Sequence, residues 1–212
     1  MRYYFLLIAL LVAVGAHSQQ YMDTTDPREI KSLLNKDNDL NGFGGVDLKV
    51  TDIKNSRTLM MGGYGGVLVN HNYQLGIAAY GLLTAPDFEG QLMDGSPKDL
   101  ELFGGYAGMV IGGMLFSKEL VHVNFPILFG AGHIQVSDPN FFAGNPDSDF
   151  TIEQSAFFVI EPTAQLEFNL TRSFRLAVGA SYRWVEGLDL ANVTDDELIG
   201  WSGVVSLRFG RY

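Results

Sequence analysis

The chain has 212 residues, a formal net charge of −10, no cysteine, 25 glycines, 47% hydrophobic residues and only 18% charged residues. The lack of cysteine excludes disulfides, thiolate catalysis and cysteine-ligated metal sites, and the acidic balance argues against binding of nucleic acid. The charged share lies below the usual quarter for globular proteins, so the composition favours strands that face lipid on one side.

The first predicted element is a leader sequence. Arg2 supplies a positive charge, residues 5–14 are apolar, and Ala16-His17-Ser18 places small residues at the −3 and −1 positions. This pattern predicts a cleaved secretory signal peptide over residues 1–18. The apolar run of about ten residues is too short for a membrane helix, which needs about 20. No cysteine follows the run, so we expect an exported protein without a lipoprotein anchor.

Residues 19–41 are predicted to form a periplasmic segment that contains one short helix. Thr24-Thr25-Asp26-Pro27 is a helix-capping motif with proline at the first helical position. Ile30, Leu33 and Leu34 share one face of a helix that would end near Asn35. This face is a candidate docking surface for a periplasmic partner, and the alternative is a lead-in helix or a plain tether.

Residues 42–212 are predicted to form an all-β domain, an eight-stranded antiparallel up-and-down transmembrane β-barrel. Eight runs of β character are separated by turn residues, at approximately 43–53, 58–69, 73–83, 100–116, 120–136, 156–170, 173–185 and 199–209. Most runs have ten or more residues, about the length that a tilted strand needs to cross a bilayer. Strands of soluble proteins average nearer 5 to 6 residues, so strand length favours a membrane barrel.

The connections alternate in length and charge. Tight turns follow the second, fourth and sixth strands, whereas the links at 84–99, 137–155 and 186–198 are long and carry most of the acidic residues. Outer-membrane barrels place short turns in the periplasm and long loops outside. We therefore expect both termini in the periplasm of a Gram-negative bacterium and solvated, acidic loops at the cell surface.

The last hairpins alternate almost without error, with apolar residues at even positions and polar or small residues at most odd positions from Phe158 to Leu170 and from Phe174 to Trp184. Successive side chains of a strand point to opposite faces, so one face is apolar and the other polar. Extended to the other strands, this phase predicts inward-facing Thr51, His122, Asn124 and Gln165 together with a nearly balanced set of charges. The predicted lumen ion-pair network consists of Asp47, Lys49, Glu161, Glu167, Arg175, Arg183 and Arg208. Buried charges must be paired, so we expect a polar plug and no open pore.

Strands two to four are rich in glycine and tyrosine on the predicted inner face, including Gly62, Tyr64, Tyr80 and Tyr106. This composition predicts aromatic rings that lie over glycine backbone inside the barrel. Both faces of these strands are rather apolar, so the sequence pattern only weakly indicates which side chains point into the barrel. A small apolar ligand cavity is the alternative to plain packing.

Several motifs match a known group of proteins: Phe157-Phe158-Val159-Ile160-Glu161-Pro162, Leu166-Glu167-Phe168-Asn169-Leu170-Thr171, Gly62-Gly63-Tyr64-Gly65-Gly66 and the closing Leu207-Arg208-Phe209-Gly210-Arg211-Tyr212. With these motifs, the chain resembles a family of uncharacterised small outer-membrane β-barrels of Bacteroidota, over most of its length after the leader. In shape that family is similar to the OmpA-barrel, OmpX and OmpW classes. The resemblance implies a fold and an outer-membrane location but no activity.

The sequence favours a non-enzymatic outer-membrane protein with a structural or interaction role, such as an accessory subunit of a membrane complex. Its expected partners are outer-membrane lipid and other proteins that contact the N-terminal segment or the barrel wall, and no cofactor, metal or catalytic residue is predicted. One alternative is a soluble lipocalin-like ligand-binding barrel, which Tyr182, Trp184 and Trp201 near strand ends disfavour. Two further alternatives are a lipid-modifying enzyme that uses His122 or His133 and a small solute channel.

Overall fold

The described part of the chain is built almost entirely from long strands that alternate inward and outward side chains. The computed structural model describes residues 39–92, 95–139 and 151–211. Nine strands and one short helix occur in this part of the chain: β1 Leu40–Ile53, β2 Ser56–Val69, β3 Tyr73–Leu82, β4 Asp87–Gln91, β5 Pro97–Leu115, β6 Val121–Ser137, β7 Glu153–Asn169, β8 Phe174–Glu186, α1 Asp195–Leu198 and β9 Gly200–Gly210. None of the described helices is long and apolar enough to span a membrane.

The strands close into an antiparallel barrel. Each neighbouring pair is antiparallel, β1 pairs with β9, and β3 pairs with β5, so eight strands form a continuous ring in the order β3-β2-β1-β9-β8-β7-β6-β5. The prediction of an eight-stranded up-and-down β-barrel is confirmed. Closure leaves no unpaired edge in this ring, so the backbone groups of its strands bond to one another.

One strand was not predicted. The sequence predicts a long link over residues 84–99, but β4 pairs with the first part of β5, with Asp87 opposite Glu101 and Gln91 opposite Pro97. This hairpin extends β5 beyond the end of β3. Sequence reasoning missed β4 because five residues that include two acids, Asp87 and Glu89, carry too little alternation to indicate a strand.

The two ends of the barrel differ in their connections. At the short-turn end, the links 70–72, 116–120 and 170–173 join consecutive strands. At the long-loop end lie β4, residues 138–139 and 151–152 that flank the connection between β6 and β7, and residues 187–199, together with a two-residue turn of Lys54 and Asn55. Both residues of that turn have positive φ, 49° and 61°, the geometry of a type I′ hairpin.

Candidate functional site

The seven charged residues that the sequence assigns to the lumen all lie inside the barrel. Each is at most 5% exposed. The odd-numbered phase of the clean hairpins therefore extends to β1, which supplies Asp47 and Lys49. Six of these residues lie in or beside two clusters, each centred on one glutamate, and Arg183 binds groups nearer the long-loop end.

The Glu161 cluster consists of Glu161, Lys49, Tyr106 and Ser181. Lys49 Nζ lies 2.7 Å from Glu161 Oε2, and both side chains are buried. The Tyr106 hydroxyl donates to the same oxygen over 2.6 Å, and the Ser181 hydroxyl donates to Oε1 over 2.6 Å. The carboxylate thus has one cation and two hydroxyl donors, which compensate its removal from water.

Asp47 lies beside this cluster and is held by a tyrosine. The Tyr80 hydroxyl donates to Asp47 Oδ2 over 2.6 Å. Lys49 Nζ lies 3.4 Å from the centre of the Tyr80 ring, a cation–π contact. Tyr80 therefore links the cation of the Glu161 cluster to a second carboxylate, and its ring packs against that of Tyr106 with a centroid distance of 5.3 Å.

The Glu167 cluster lies nearer the short-turn end. Glu167 Oε1 accepts hydrogen bonds from Arg208 and from Asn124 Nδ2, the latter over 2.8 Å. Its Oε2 lies 2.8 Å from His122 Nε2 and 3.4 Å from Arg175 Nη1. One carboxylate therefore faces two guanidinium groups, an imidazole and an amide. Gln74 extends the cluster across the barrel, because its Oε1 accepts from Arg208 Nη2 over 3.0 Å.

Arg183 binds groups at the long-loop end of the barrel. Its Nε donates to the carbonyl of Leu198 over 2.8 Å, and its Nη2 donates to Thr51 Oγ1 over 3.3 Å. The sequence placed Arg183 in the lumen but could not show that its main acceptor is a backbone carbonyl of a distant loop.

Aromatic rings cover glycine backbone inside the barrel, as predicted. A Cβ at Gly45 would overlap the Tyr64 ring, and a Cβ at Gly62 would overlap the Tyr80 ring and the backbone of β3. Only a residue without a side chain lets these rings approach the wall so closely. The rings lie beside the lumen charges, since Lys49 Nζ lies over the Tyr80 ring and the Arg208 guanidinium lies 5.5 Å from the centre of the Tyr64 ring.

The long-loop end is closed by residues 187–199, which we call the mouth loop. Val193 and Leu198 are almost fully buried and pack with Leu100, Leu102 and Val136 of the barrel. The expectation of a solvated loop is therefore wrong for this segment, because its apolar side chains turn into the barrel mouth. At the other end, buried Phe43, Leu68 and Met114 form a smaller apolar group.

Polar contacts fix the mouth loop outside the apolar cap. Lys54 Nζ donates to the carbonyl of Asn192 over 2.6 Å and lies 3.0 Å from Glu197 Oε1. Partial burial raises the pKa of Glu197, but hydrogen bonds from the Thr194 backbone and from Lys54 outweigh it and hold that pKa below its usual value. Asn192 also bonds to Glu153 and to the backbone of Gln91, so the loop is tied to β7 and β4.

The outer wall of the barrel is apolar. Ile77, Phe158 and Trp201 are 70%, 71% and 70% exposed, respectively. Between the ends of the barrel, the outward-facing positions of the described strands carry no Asp, Glu, Lys or Arg. Aromatic residues border this wall near both ends, with Tyr182 against Trp201 on one side and Phe174 against Phe209 on the other.

The two histidines considered for catalysis lie on opposite faces of the barrel wall. His122 is buried in the Glu167 cluster, where it contacts Glu167 and Arg175. His133 is exposed on the outward phase of β6, opposite Gly105 and Ala156. Within residues 39–92, 95–139 and 151–211, no group of three His, Asp or Glu residues is placed to hold a metal ion.

The predicted docking face of Ile30, Leu33 and Leu34 and the predicted signal peptide lie outside the described residues. Both stay predictions from the sequence.

Three solved structures of outer-membrane β-barrels are similar to this chain in backbone fold. The N-terminal β-barrel domain of Pseudomonas aeruginosa OprF has a TM-score of 0.47 at 11% identity, covering 79% of this chain and 96% of that one. Neisserial surface protein A has a TM-score of 0.48 at 9% identity, covering 82% and 99%. Ail, the attachment invasion locus protein of Yersinia pestis, has a TM-score of 0.40 at 15% identity, covering 81% and 94%. No protein-family model and no curated protein matches the chain.

Proposed function

We propose that the protein is an integral outer-membrane β-barrel with a closed lumen and a structural or interaction role, and that it acts as an accessory subunit of an outer-membrane complex. The observation that carries the membrane assignment is the uncharged, apolar outer wall. A soluble barrel would place such side chains inside and charges outside, and here both faces are reversed.

The height of the apolar wall supports insertion into a bilayer. From Phe174 to Trp184, β8 spans ten residue steps between the two aromatic borders. At about 3.3 Å per residue and a tilt of about 40°, this corresponds to about 25 Å, the height of the apolar band in outer-membrane barrels. The proposed orientation puts the short-turn end in the periplasm and the acidic long-loop end outside.

A closed lumen is supported at three levels. The mouth loop fills the long-loop end with apolar side chains, and the Glu161 and Glu167 clusters cross the interior below it. Eight strands enclose a space barely wide enough for their own side chains. We therefore infer that the barrel does not conduct ions or solutes and that its role depends on its surfaces.

An interaction role is supported by one unusual turn at the short-turn end. Phe116 and Leu120 are each 70% exposed, and Phe116 has a φ of 60°, which is rare for a bulky residue. The neighbouring turn Asn70-His71-Asn72 is polar. Apolar side chains held in this way are available to a periplasmic protein or to the membrane surface.

The proposal is tested by expression in a Gram-negative host with fractionation of the envelope. We expect the protein in the outer-membrane fraction, and its migration on gels should change on heating. In planar bilayers it should show no conductance, whereas a porin measured in the same way as a control should conduct. Recovery in the soluble periplasm would refute the membrane assignment. Stepwise conductance would refute the closed lumen while leaving the membrane assignment intact.

A further inference from the structure

A cleft of about 630 Å³ opens at the long-loop end of the barrel, between the end of β4, the start of β7 and the mouth loop. This volume lies within the range of about 300–1,000 Å³ that small-molecule sites occupy in proteins. A second cavity, beside Asp47 inside the barrel, measures about 40 Å³. The cleft therefore has the size of a ligand-binding site, and the internal cavity does not.

Hydrogen bonds to one glutamate and one asparagine fix the walls of the cleft. Glu153 Oε2 accepts from the backbone N–H groups of Ala191 and Asn192, over 3.0 and 3.3 Å, and its Oε1 accepts from Asn192 Nδ2 over 2.6 Å. The Asn192 side chain also bonds to both backbone groups of Gln91. These bonds hold β4, β7 and the mouth loop together before any ligand is present, and a preformed site loses less entropy on binding.

Three polar side chains of the lining remain available to a ligand. The amides of Gln91 and Gln154 and the carboxylate of Asp189 are exposed, and within the described residues these three side chains make no hydrogen bond. Glu153 differs from them, because the mouth loop already occupies both of its oxygens. An amide both donates and accepts, whereas a carboxylate accepts only. The cleft thus offers donors and acceptors around one opening.

The rest of the lining restricts the charge and shape of the ligand. The cleft contains the acids Glu153 and Asp189, and the described residues that line it include no Lys, Arg or His. A phosphate, a sulfate or another anion would therefore meet only negative charge. Ile152 and Leu190 line the same space and pack against the apolar core of the barrel mouth. The lining therefore suits an uncharged molecule that has both hydroxyl groups and an apolar face.

We propose that the cleft binds a neutral saccharide. A sugar hydroxyl both donates and accepts, so the hydroxyls of one ring bind the amides of Gln91 and Gln154 and the carboxylate of Asp189. The C–H face of the ring packs on Ile152 and Leu190. In the proposed orientation the cleft opens to the outside of the cell, where the ring belongs to a free oligosaccharide or to a surface polysaccharide. The site does not depend on the proposed role as an accessory subunit.

The test uses the mature full-length chain in lipid nanodiscs and a panel of neutral oligosaccharides, with sulfated oligosaccharides and spermidine as charged probes. We expect saturation-transfer NMR to detect a neutral sugar with a dissociation constant of about 1 mM or lower. Gln154→Ala and Asp189→Ala should each weaken binding roughly 3- to 10-fold, the loss expected for one hydrogen bond. The matched control Asp99→Ala removes an exposed acid of β5 that does not line the cleft, and it should leave binding unchanged.

Ala191→Trp should abolish binding, because Ala191 lines the cleft and the indole fills it. Its control, Ala156→Trp, adds the same bulk on the outward face of β7 and should preserve binding. If Ala191→Trp does not fold, as judged by its heat-modifiable migration, the double variant Gln154→Ala with Asp189→Ala replaces it.

Binding of free oligosaccharides would identify a diffusible sugar, and binding of immobilised neutral polysaccharide alone would identify a surface glycan; both results support the proposal. Absence of binding by every neutral sugar would overturn it, as would neutral-sugar binding that the cleft variants do not weaken. Binding of the sulfated probes or of spermidine in place of the neutral sugars would also overturn it. None of these results affects the membrane assignment, which envelope fractionation tests separately.

Discussion

The substitution Glu167→Gln tests whether the lumen charges stabilise the barrel. Glu167 is fully buried and accepts hydrogen bonds from Arg208 and Asn124, and it also contacts His122 and Arg175. Glutamine keeps the volume of the side chain but removes the negative charge. Two guanidinium groups, 4% and 1% exposed, then remain inside the barrel without their shared counter-ion.

The expected effect is large because water cannot reach these cations. Removal of one partner from a buried ion pair costs about 3–5 kcal/mol. We therefore expect Glu167→Gln to lower the free energy of unfolding by about this amount. Glu119→Gln is a suitable control, because Glu119 is an exposed acid in the turn between β5 and β6, and its replacement should change stability by less than about 0.5 kcal/mol.

The measurement is reversible urea unfolding in lipid vesicles, followed by the fluorescence of the two tryptophans. Both tryptophans lie on the outer wall, so their emission reports transfer from lipid to water. A loss below about 1 kcal/mol for Glu167→Gln would refute the reasoning, because a buried pair cannot be broken so cheaply. Combining Glu167→Leu with Arg208→Leu should cost less than the sum of the single changes, since the pair is then removed as a unit.

Three further predictions concern the wall, the tyrosine packing and the mouth loop. Ile77→Lys should weaken folding into vesicles by about 2–4 kcal/mol, because it places a charge on the lipid face. Gly62→Ala should destabilise the barrel by about 1–3 kcal/mol in urea unfolding, because the new Cβ would overlap the Tyr80 ring. Partial burial raises the pKa of Glu197, but the hydrogen bond from the Thr194 backbone and the contact with Lys54 hold that pKa below the usual value. The ionised Glu197 side chain therefore stabilises the folded protein at neutral pH, and this stabilisation disappears as the pH falls through the folded pKa. The difference in thermal stability between the unaltered protein and Glu197→Gln should therefore vanish on acidification.

Matched controls separate these effects from general damage. Asp52→Lys changes an exposed residue at the rim of β1 and should cost little. Gly63→Ala lies next to Gly62 in β2 but faces outward, where the nearest neighbour of a new Cβ is 3.7 Å away. If Ile77→Lys or Gly62→Ala behaves like its control, the assigned facing of β2 and β3 is wrong. A Glu197→Gln difference that grows on acidification would contradict the lowered pKa.

The sequence by itself determined the barrel, the number of its strands and the facing of its lumen charges. A strand has a side-chain period of two, so an error of one residue would move every side chain to the other face. The clean alternation around Glu161, Glu167, Arg175 and Arg183 therefore specifies which face is polar. β1 shows the same alternation in its own residues, with Asp47 and Lys49 standing between the apolar Val46, Leu48 and Val50.

Only the tertiary structure decided which charges meet and what closes the barrel. Lys49 and Glu161 are separated by 112 residues, and their contact depends on the closure of the ring and on its stagger, which no local pattern encodes. The mouth loop has apolar residues without strand or helix spacing, so Val193 and Leu198 read as parts of a solvated loop until the barrel mouth supplies a surface for them to pack against. The cavity beside Asp47 likewise exists only because side chains from several strands converge on one point without filling it. Local periodicity fixes the direction of a side chain, whereas its partners are fixed by long-range closure and packing.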